Sequence, residues 1–273
     1  MLLREQISWP RPETVLVGFS SAFLFFLQLR LADEFKDFEE DRRYRPYRPV
    51  PRGLVTLREL GIVGILAGLA QLILALWLAP KLSGLLLLTW AYLGLMGKEF
   101  FAAGWLKARP LAYMGSHMLI VPLIDLYTTA CDWLAAGAAA PHAGLAWFLI
   151  VSFFNGVVIE VGRKIRAPQD EEVGVETYTA LWGRPRTVMA WLGALLLTAI
   201  SAWLAAREIG FAGPAAGLLL LLLGIGLMAG VRFWQMPTTR RAKAIETVSG
   251  LWTMVMYLGI GALPLVWQLW FRR

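Results

Sequence analysis

Long apolar runs separated by short charged segments dominate the hydrophobic pattern of this chain. A helix needs roughly 20 mostly apolar residues to cross a bilayer. Eight segments approach or reach that length, namely 15–31, 57–79, 82–97, 110–131, 144–161, 187–206, 213–233 and 246–270. The pattern therefore predicts an all-α, polytopic bundle of about eight transmembrane helices, built as one integral domain over residues 1–273.

Composition agrees with a membrane protein. Of the 273 residues, 58% are hydrophobic and 16% are charged, whereas soluble domains carry about 25% charged residues. The single cysteine, Cys131, excludes an internal disulfide. The first residues lack the continuous apolar core of a signal peptide, so we expect no cleaved leader.

Basic residues are concentrated in alternate loops. Most of the 26 Lys and Arg residues lie in the loops 32–56, 98–109, 163–186 and 232–245. The positive-inside rule places these loops in the cytoplasm, and we expect a bacterial-type inner membrane. The net charge of +7 then reflects loops beside membrane lipid, and we expect no nucleic-acid partner. This topology leaves Arg4 and Arg11 outside, which an additional helix before residue 1 would correct.

The segment DEFKDFEED, residues 33–41, directly follows the first apolar run. If the helix continues, Asp33, Asp37 and Asp41 are spaced at i, i+4 and i+8 and share one face. Like charges at this spacing repel one another, and a divalent cation would compensate them. Mg²⁺ prefers one or two carboxylates with waters and substrate phosphates. Taken alone, however, an acidic run is more typical of a solvated juxtamembrane helix.

The next segment, RRYRPYRPVPRG, changes that balance. Its prolines end the helix, and it brings five arginines close to the carboxylates: Arg42, Arg43, Arg45, Arg48 and Arg52. Guanidinium forks match phosphate oxygens, although they also suit anionic lipid headgroups. Carboxylates for a metal beside arginines for phosphate predict a site for a metal-bridged diphosphate.

These residues resemble the first motif of the UbiA superfamily of intramembrane prenyltransferases, N-D-x-x-D-x-x-x-D followed by R-P-x-x-x-G. Asp37 and Asp41 match its last two Asp positions, and Asp33 and Glu34 occupy its Asn and first Asp positions. Residues 48–53 match its tail. The family usually has nine transmembrane helices, and from the eight predicted spans we expect that residues 1–273 lack the first of these.

Two later segments match the same family in order and spacing. Lys98 lies in the next basic loop, where the family carries a lysine. Residues 159–183 correspond to the second acidic motif and keep its trailing Gly-x-x-Thr and Leu-x-Gly. In place of the usual D-x-x-x-D stand Glu160, Arg163, Lys164 and Asp170. The basic pair could contact a diphosphate and replace metal charge, or this segment could be a solvated loop with compensated charges.

The resemblance implies an enzyme that ionises an isoprenyl diphosphate with Mg²⁺ and transfers the prenyl group to a small-molecule acceptor, either aromatic or lipid-like. The implied metal ligands are Asp33, Glu34, Asp37, Asp41, Glu160 and Asp170. The implied diphosphate contacts are Arg42, Arg45, Arg48, Lys98, Arg163 and Lys164. The catalytic candidates among these are Asp37, Asp41, Lys98, Arg163 and Lys164. Two polar residues within predicted spans, His117 and Asn155, are candidates for the acceptor pocket.

Two other functions fit some of the same features. A relative within the superfamily could transfer a phosphorylated sugar, such as a phosphoribosyl group, to a polyprenyl phosphate. A metal-ion transporter or permease could use the acidic stretch together with Asp125 inside the span 110–131. Transporter sites usually lie near the bilayer midplane, whereas the acidic stretch lies at a helix end. The sequence makes no prediction of the oligomeric state.

Overall fold

The computed structural model describes residues 1–270 and the backbone of Phe271, and all regular structure in this part is helical. The all-α prediction is therefore confirmed. Contacts divide the chain into two compact units. We call Trp9–Pro141 the N-terminal unit, and Met1–Ser8 together with the residues from His142 onward the C-terminal unit.

The N-terminal unit contains seven α-helices and one short 3₁₀ turn, Glu99–Phe101. The helices are α1 (Pro12–Lys36), α2 (Phe38–Tyr44), α3 (Leu57–Leu78), α4 (Leu82–Gly97), α5 (Ala103–Lys107), α6 (Pro110–Met118) and α7 (Ile120–Trp133). α1 packs against α3 and α7, and α4 packs against α7. α3 begins with a capping box, in which Thr56 and Glu59 satisfy one another's backbone N–H groups.

A buried polar contact links three helices of this unit. The Gln71 side chain on α3 is fully buried, and its Nε2 donates to the Ser21 carbonyl of α1 at 3.1 Å. Its Oε1 accepts a hydrogen bond from Trp90 Nε1 on α4, also at 3.1 Å. A buried polar group without a hydrogen-bond partner is energetically costly in an apolar environment. These two bonds therefore fix the relative position of the three helices.

The described part of the C-terminal unit contains six α-helices. They are α8 (Leu145–Arg163), α9 (Tyr178–Trp182), α10 (Arg184–Glu208), α11 (Ala212–Gln235), α12 (Thr239–Tyr257) and α13 (Leu263–Phe271). Short 3₁₀ turns lie at Leu2–Arg4 and Pro168–Asp170, and a π-helical segment, Leu258–Ala262, joins α12 to α13. α10 packs chiefly against α8 and α11, and α8 also packs against α12. Trp191 Nε1 on α10 donates to Ser249 Oγ on α12 at 2.9 Å. Gly162 permits this contact, since a Cβ there would lie 2.1 Å from Ser249 Oγ.

Six helical segments within the described residues are long and apolar enough to cross a membrane: Pro12–Lys36, Leu57–Leu78, Leu145–Arg163, Arg184–Glu208, Ala212–Gln235 and Thr239–Trp270. Leu82–Gly97 is apolar but shorter. These segments confirm a polytopic membrane protein. The prediction of one continuous helix over 110–131 is wrong, because α6 ends at Met118 and α7 begins at Ile120. Pro122 explains the break, since its ring lacks an N–H and clashes with the carbonyl of Met118.

Candidate active site

The end of α1 carries the acidic stretch, and the helix is kinked within it. α1 ends at Lys36, Asp37 has φ −90° and ψ 2°, and α2 continues from Phe38. The helical hydrogen bonds pass through this kink. The Asp37 N–H donates to the Asp33 carbonyl at 2.9 Å, and the Asp41 N–H donates to the Asp37 carbonyl at 2.8 Å. The three acids therefore keep their one-turn spacing.

These acids differ in their surroundings. Asp33 is exposed, Asp37 is half-buried, and Asp41 is only 1% exposed. Burial raises the pKa of the Asp37 carboxyl, an effect that the charge of Lys36 opposes and the charge of Asp41 reinforces. Glu34 is buried and accepts a hydrogen bond from Arg30, one turn earlier on α1. An ionised Asp37 is thus the acid least compensated by its protein neighbours.

Asp41 holds two of the arginines that follow it. Arg45 Nε lies 3.0 Å from Asp41 Oδ1, at an ion-pair distance but without good hydrogen-bond alignment. Arg48 Nη1 donates to Asp41 Oδ2. Partial burial lowers the pKa of Arg48, but the hydrogen bond to Asp41 and the negative charges of Asp41, Glu34 and Asp37 together outweigh burial and raise that pKa above its usual value. The fold therefore brings these carboxylate and guanidinium groups together at one helix end.

The remaining basic residues of this loop are more open. Arg42 is exposed and forms no ion pair with any residue that the structure describes. Arg43 is also exposed and stacks over the Tyr44 ring, with its guanidinium carbon 5.2 Å from the ring centroid. Gly53, at φ 74°, closes the loop through its N–H, which donates to the Val50 carbonyl at 2.9 Å. The loop thus keeps exposed cations beside the buried Asp41 cluster.

A second polar cluster lies beside Lys36. The Lys36 ammonium is 3.2 Å from Glu99 Oε1, donates to the Tyr113 hydroxyl, and lies 4.8 Å from the Tyr113 ring centroid. The Tyr113 ring stacks on His117, with centroids 4.0 Å apart and an interplanar angle of 13°. Lys98, next to Glu99, is exposed and forms no ion pair within the described part of the chain. Sequence reasoning missed Glu99 and Tyr113, because no linear spacing connects either residue to Lys36.

The C-terminal unit carries the basic replacement for the second acidic motif. Glu160, at the end of α8, is buried and lies between two cations. Its Oε2 accepts from Arg163 Nε at 2.7 Å, and its Oε1 lies 2.8 Å from Lys164 Nζ. The Arg163 side chain remains 53% exposed and that of Lys164 34% exposed. Glu160 therefore holds both cations in place and leaves part of each accessible.

Two acids of the following loop, Asp170 and Glu171, accept hydrogen bonds that hold the loop in place. Asp170 Oδ1 accepts a hydrogen bond from Thr239 Oγ1 at the start of α12, at 2.9 Å. Glu171 accepts from Thr177 Oγ1 at 2.7 Å and from Thr179 Oγ1 at 2.8 Å. The Asp170 bond ties the loop to α12, and the Glu171 bonds stabilise the loop internally.

Within the described residues, no three His, Cys, Asp or Glu side chains form a group that could hold a metal ion. Asp41 and Glu160 already lie between cations, and Glu34 is bound to Arg30. Asp37 carries no ion pair with a described residue, and Asp33 one turn before it is exposed. One or two carboxylates suffice for Mg²⁺ when substrate phosphates complete its coordination. Asp37 with Asp33 fits that mode of binding, whereas a cage made of protein ligands alone does not.

The two acceptor-pocket candidates lie in different units. His117 belongs to the Lys36 cluster on α6, and its Nδ1 lies 2.9 Å from the Tyr113 carbonyl oxygen. Asn155 on α8 is 1% exposed, and neither of its amide atoms has a hydrogen-bond partner among the described residues. Trp252 Nε1 on α12 is a further buried donor of this kind, which the sequence did not single out. A buried polar group without a partner is unusual and marks Asn155 as a group able to bind a ligand or water.

Comparison with known proteins agrees with the motifs. The model of the UbiA prenyltransferase family matches residues 2–246. The chain is also 29% identical over 160 residues to the digeranylgeranylglyceryl phosphate synthase of Pyrococcus horikoshii. That alignment covers 57% of this chain and 52% of the relative, so the chain spans about half the length of the curated protein it matches. Because the family match extends over most of its length, this membrane protein belongs to the UbiA prenyltransferase family.

Proposed function

We propose that the chain is an intramembrane prenyltransferase that binds an isoprenyl diphosphate and transfers its prenyl group to a small-molecule acceptor. One observation carries the proposal: half-buried Asp37 lies one turn before the Asp41–Arg45–Arg48 cluster at the end of α1. Family membership favours this function over a metal-ion transporter. The same proposal orients the acidic end and the basic loops toward the cytoplasm of a bacterial-type inner membrane.

Binding of the diphosphate rests on anchored cations. Arg45 and Arg48 are held by Asp41 in the N-terminal unit, and Arg163 and Lys164 are held by Glu160 in the C-terminal unit. A cation fixed by a carboxylate loses less side-chain freedom when it binds phosphate. The exposed Arg42 and Lys98 supply further positive charge. We assign the four cations of the N-terminal unit to the diphosphate group, and Arg163 and Lys164 are the phosphate-binding candidates of the C-terminal unit.

Mg²⁺ fits the proposed site through Asp37 and Asp33. When bound, the ion would supply Lewis-acid stabilisation of the leaving diphosphate. Asp41 is assigned to Arg45 and Arg48, and through them to the phosphate oxygens. We thus assign Asp33 and Asp37 to the metal and Asp41 to the arginines, according to their exposure and their partners.

The chain itself contributes charge stabilisation and exclusion of water. Fixed arginine and lysine groups favour the negative charge that develops on the diphosphate as its C–O bond breaks. The apolar helices protect the resulting allylic cation from water until the acceptor attacks it. The relative from Pyrococcus horikoshii is named for digeranylgeranylglyceryl phosphate, which favours a lipid-like acceptor over an aromatic one. Asn155 in the C-terminal unit and His117 in the N-terminal unit are separate candidates for acceptor binding.

Turnover with defined donors tests this function. Purified protein with Mg²⁺ is supplied with isoprenyl diphosphates of increasing chain length and with lipid-like or aromatic acceptors, and released diphosphate is measured. We expect release with at least one donor and its loss in Asp37→Ala. Glu39→Ala is the matched control, because Glu39 is an exposed acid of the same stretch. Absence of release with every donor, or full activity in Asp37→Ala, would refute the proposal.

A further inference from the structure

The three residues after Lys98 adopt an unusual backbone conformation. Glu99, Phe100 and Phe101 have φ values of 48°, 54° and 56°, all in the left-handed region. Residues with a Cβ avoid this region, and bulky residues avoid it most strongly. Such a turn persists only where its surroundings over-determine it, and strained segments of this kind cluster at functional sites.

Two sets of contacts hold the turn. The buried Glu99 carboxylate lies 3.2 Å from the Lys36 ammonium, which also donates to the Tyr113 hydroxyl. The Phe100 ring packs edge-on against Tyr92 at 5.4 Å and against His117 at 6.0 Å. The turn is therefore fixed by an ion pair on one residue and by aromatic packing on the next. Both contacts are made within the N-terminal unit.

The Lys36–Glu99 ion pair also determines which neighbouring charges stay without an ion-pair partner. Lys98 and Glu99 are adjacent in the chain, and so are Lys36 and Asp37. Because Lys36 and Glu99 pair with each other, neither of them pairs with its own chain neighbour. Lys98 is left exposed, with no ion pair to any described residue, and Asp37 is likewise left without one. These are a cation and an anion that a metal-bridged diphosphate would require.

We propose that Lys36, Glu99 and Tyr113 are positioning residues that hold the left-handed turn and thereby keep Lys98 available for the diphosphate. The inference rests on the proposed function in one respect, that Lys98 contacts the diphosphate group. None of the three residues is assigned a contact with substrate. Their effect on the reaction passes through the position and the charge of Lys98.

A double-mutant cycle separates this role from a purely structural one. Glu99→Gln removes the charge that holds Lys36, and Lys98→Ala removes the cation that the turn presents. We expect each single variant to raise the donor KM by about tenfold with a smaller change in kcat, and the double variant to resemble Lys98→Ala alone. If Glu99 only stabilises the fold, the two effects will multiply in the double variant, and that result would overturn the inference.

Two further variants keep the test decisive if Glu99→Gln folds poorly. Tyr113→Phe removes only the hydroxyl that accepts from Lys36, and Lys36→Arg preserves the positive charge. We expect Tyr113→Phe to raise the donor KM in the wild-type background but not in the Lys98→Ala background. We expect Lys36→Met to raise the donor KM and Lys36→Arg to keep it near the wild-type value. Lys107→Met is the matched control, because Lys107 forms an exposed pair with Glu40 at 3.5 Å and should leave KM unchanged.

Failure of the proposed function would be recognised separately. If the wild-type protein turns over an isoprenyl diphosphate but the effects of Glu99→Gln and Lys98→Ala multiply, the positioning role is wrong and the enzyme assignment stands. If it turns over no donor, the same cycle is measured on the binding of inorganic diphosphate with Mg²⁺. Loss of coupling in that binding assay, or absence of binding, would overturn the positioning role as well.

Discussion

Replacing Asp41 with Asn should destabilise the protein in the absence of any substrate or metal. Asp41 is 1% exposed and is the acidic partner of both Arg45 and Arg48. Breaking a buried ion pair by removing one partner costs about 3–5 kcal/mol. The side chains of Arg45 and Arg48 are 21% and 29% exposed, so water can solvate them and compensate for part of this loss. We therefore expect a loss of about 2–3 kcal/mol.

Asp37→Asn is the matched comparison, since it lies one turn away and forms no ion pair with a described residue. The folded-state pKa of Asp37 is raised, chiefly by burial. A raised pKa means that this carboxyl favours the fold below its unfolded pKa and loses that contribution as pH rises through the folded value. At neutral pH its charge therefore opposes folding. We expect Asp37→Asn to leave stability unchanged or to increase it by about 0.5 kcal/mol.

Thermal unfolding of the purified protein in detergent measures this contrast. The wild type, Asp41→Asn and Asp37→Asn are heated at neutral pH in a chelator without donor, and tryptophan fluorescence is followed. Asp41→Asn should lower the midpoint by roughly 5–10 °C, whereas Asp37→Asn should not lower it. At acidic pH the Asp37 carboxyl is protonated in both the folded and the unfolded protein, so Asp37→Asn should no longer be more stable than the wild type. Equal loss of stability in both variants would refute the assignment of different roles to the two acids.

Two more predictions concern packing within the units. Gly162→Ala should destabilise the C-terminal unit by about 1–3 kcal/mol, because the added Cβ would lie 2.1 Å from Ser249 Oγ. Gly250→Ala is the control, since a Cβ at Gly250 has no neighbouring atom within 4 Å. Thermal unfolding should show a lower midpoint for Gly162→Ala and an unchanged midpoint for Gly250→Ala. Gln71→Leu should cost about 1–3 kcal/mol because it leaves Trp90 Nε1 without its acceptor. An unchanged unfolding midpoint in Gln71→Leu would show that this hydrogen bond does not stabilise the N-terminal unit.

The sequence by itself determined the membrane architecture and the position of the first motif. A lipid-crossing helix must satisfy its own backbone groups and present apolar side chains over its length, so hydropathy reports it locally. The one-turn spacing of Asp33, Asp37 and Asp41 is equally local and survives the kink. The break between α6 and α7 could also be predicted from the local sequence, since Pro122 cannot donate a hydrogen bond to the Met118 carbonyl four residues earlier.

Only the tertiary structure decided which partner each charged group has. Spacing places Asp37 and Asp41 on one face but cannot show that Asp41 is buried between arginines while Asp37 is not. Likewise, the contact of Lys36 with Tyr113 joins residues 77 positions apart. The physical reason is that helical periodicity relates residues within one helix, whereas burial and ion pairing depend on how separate helices pack against one another.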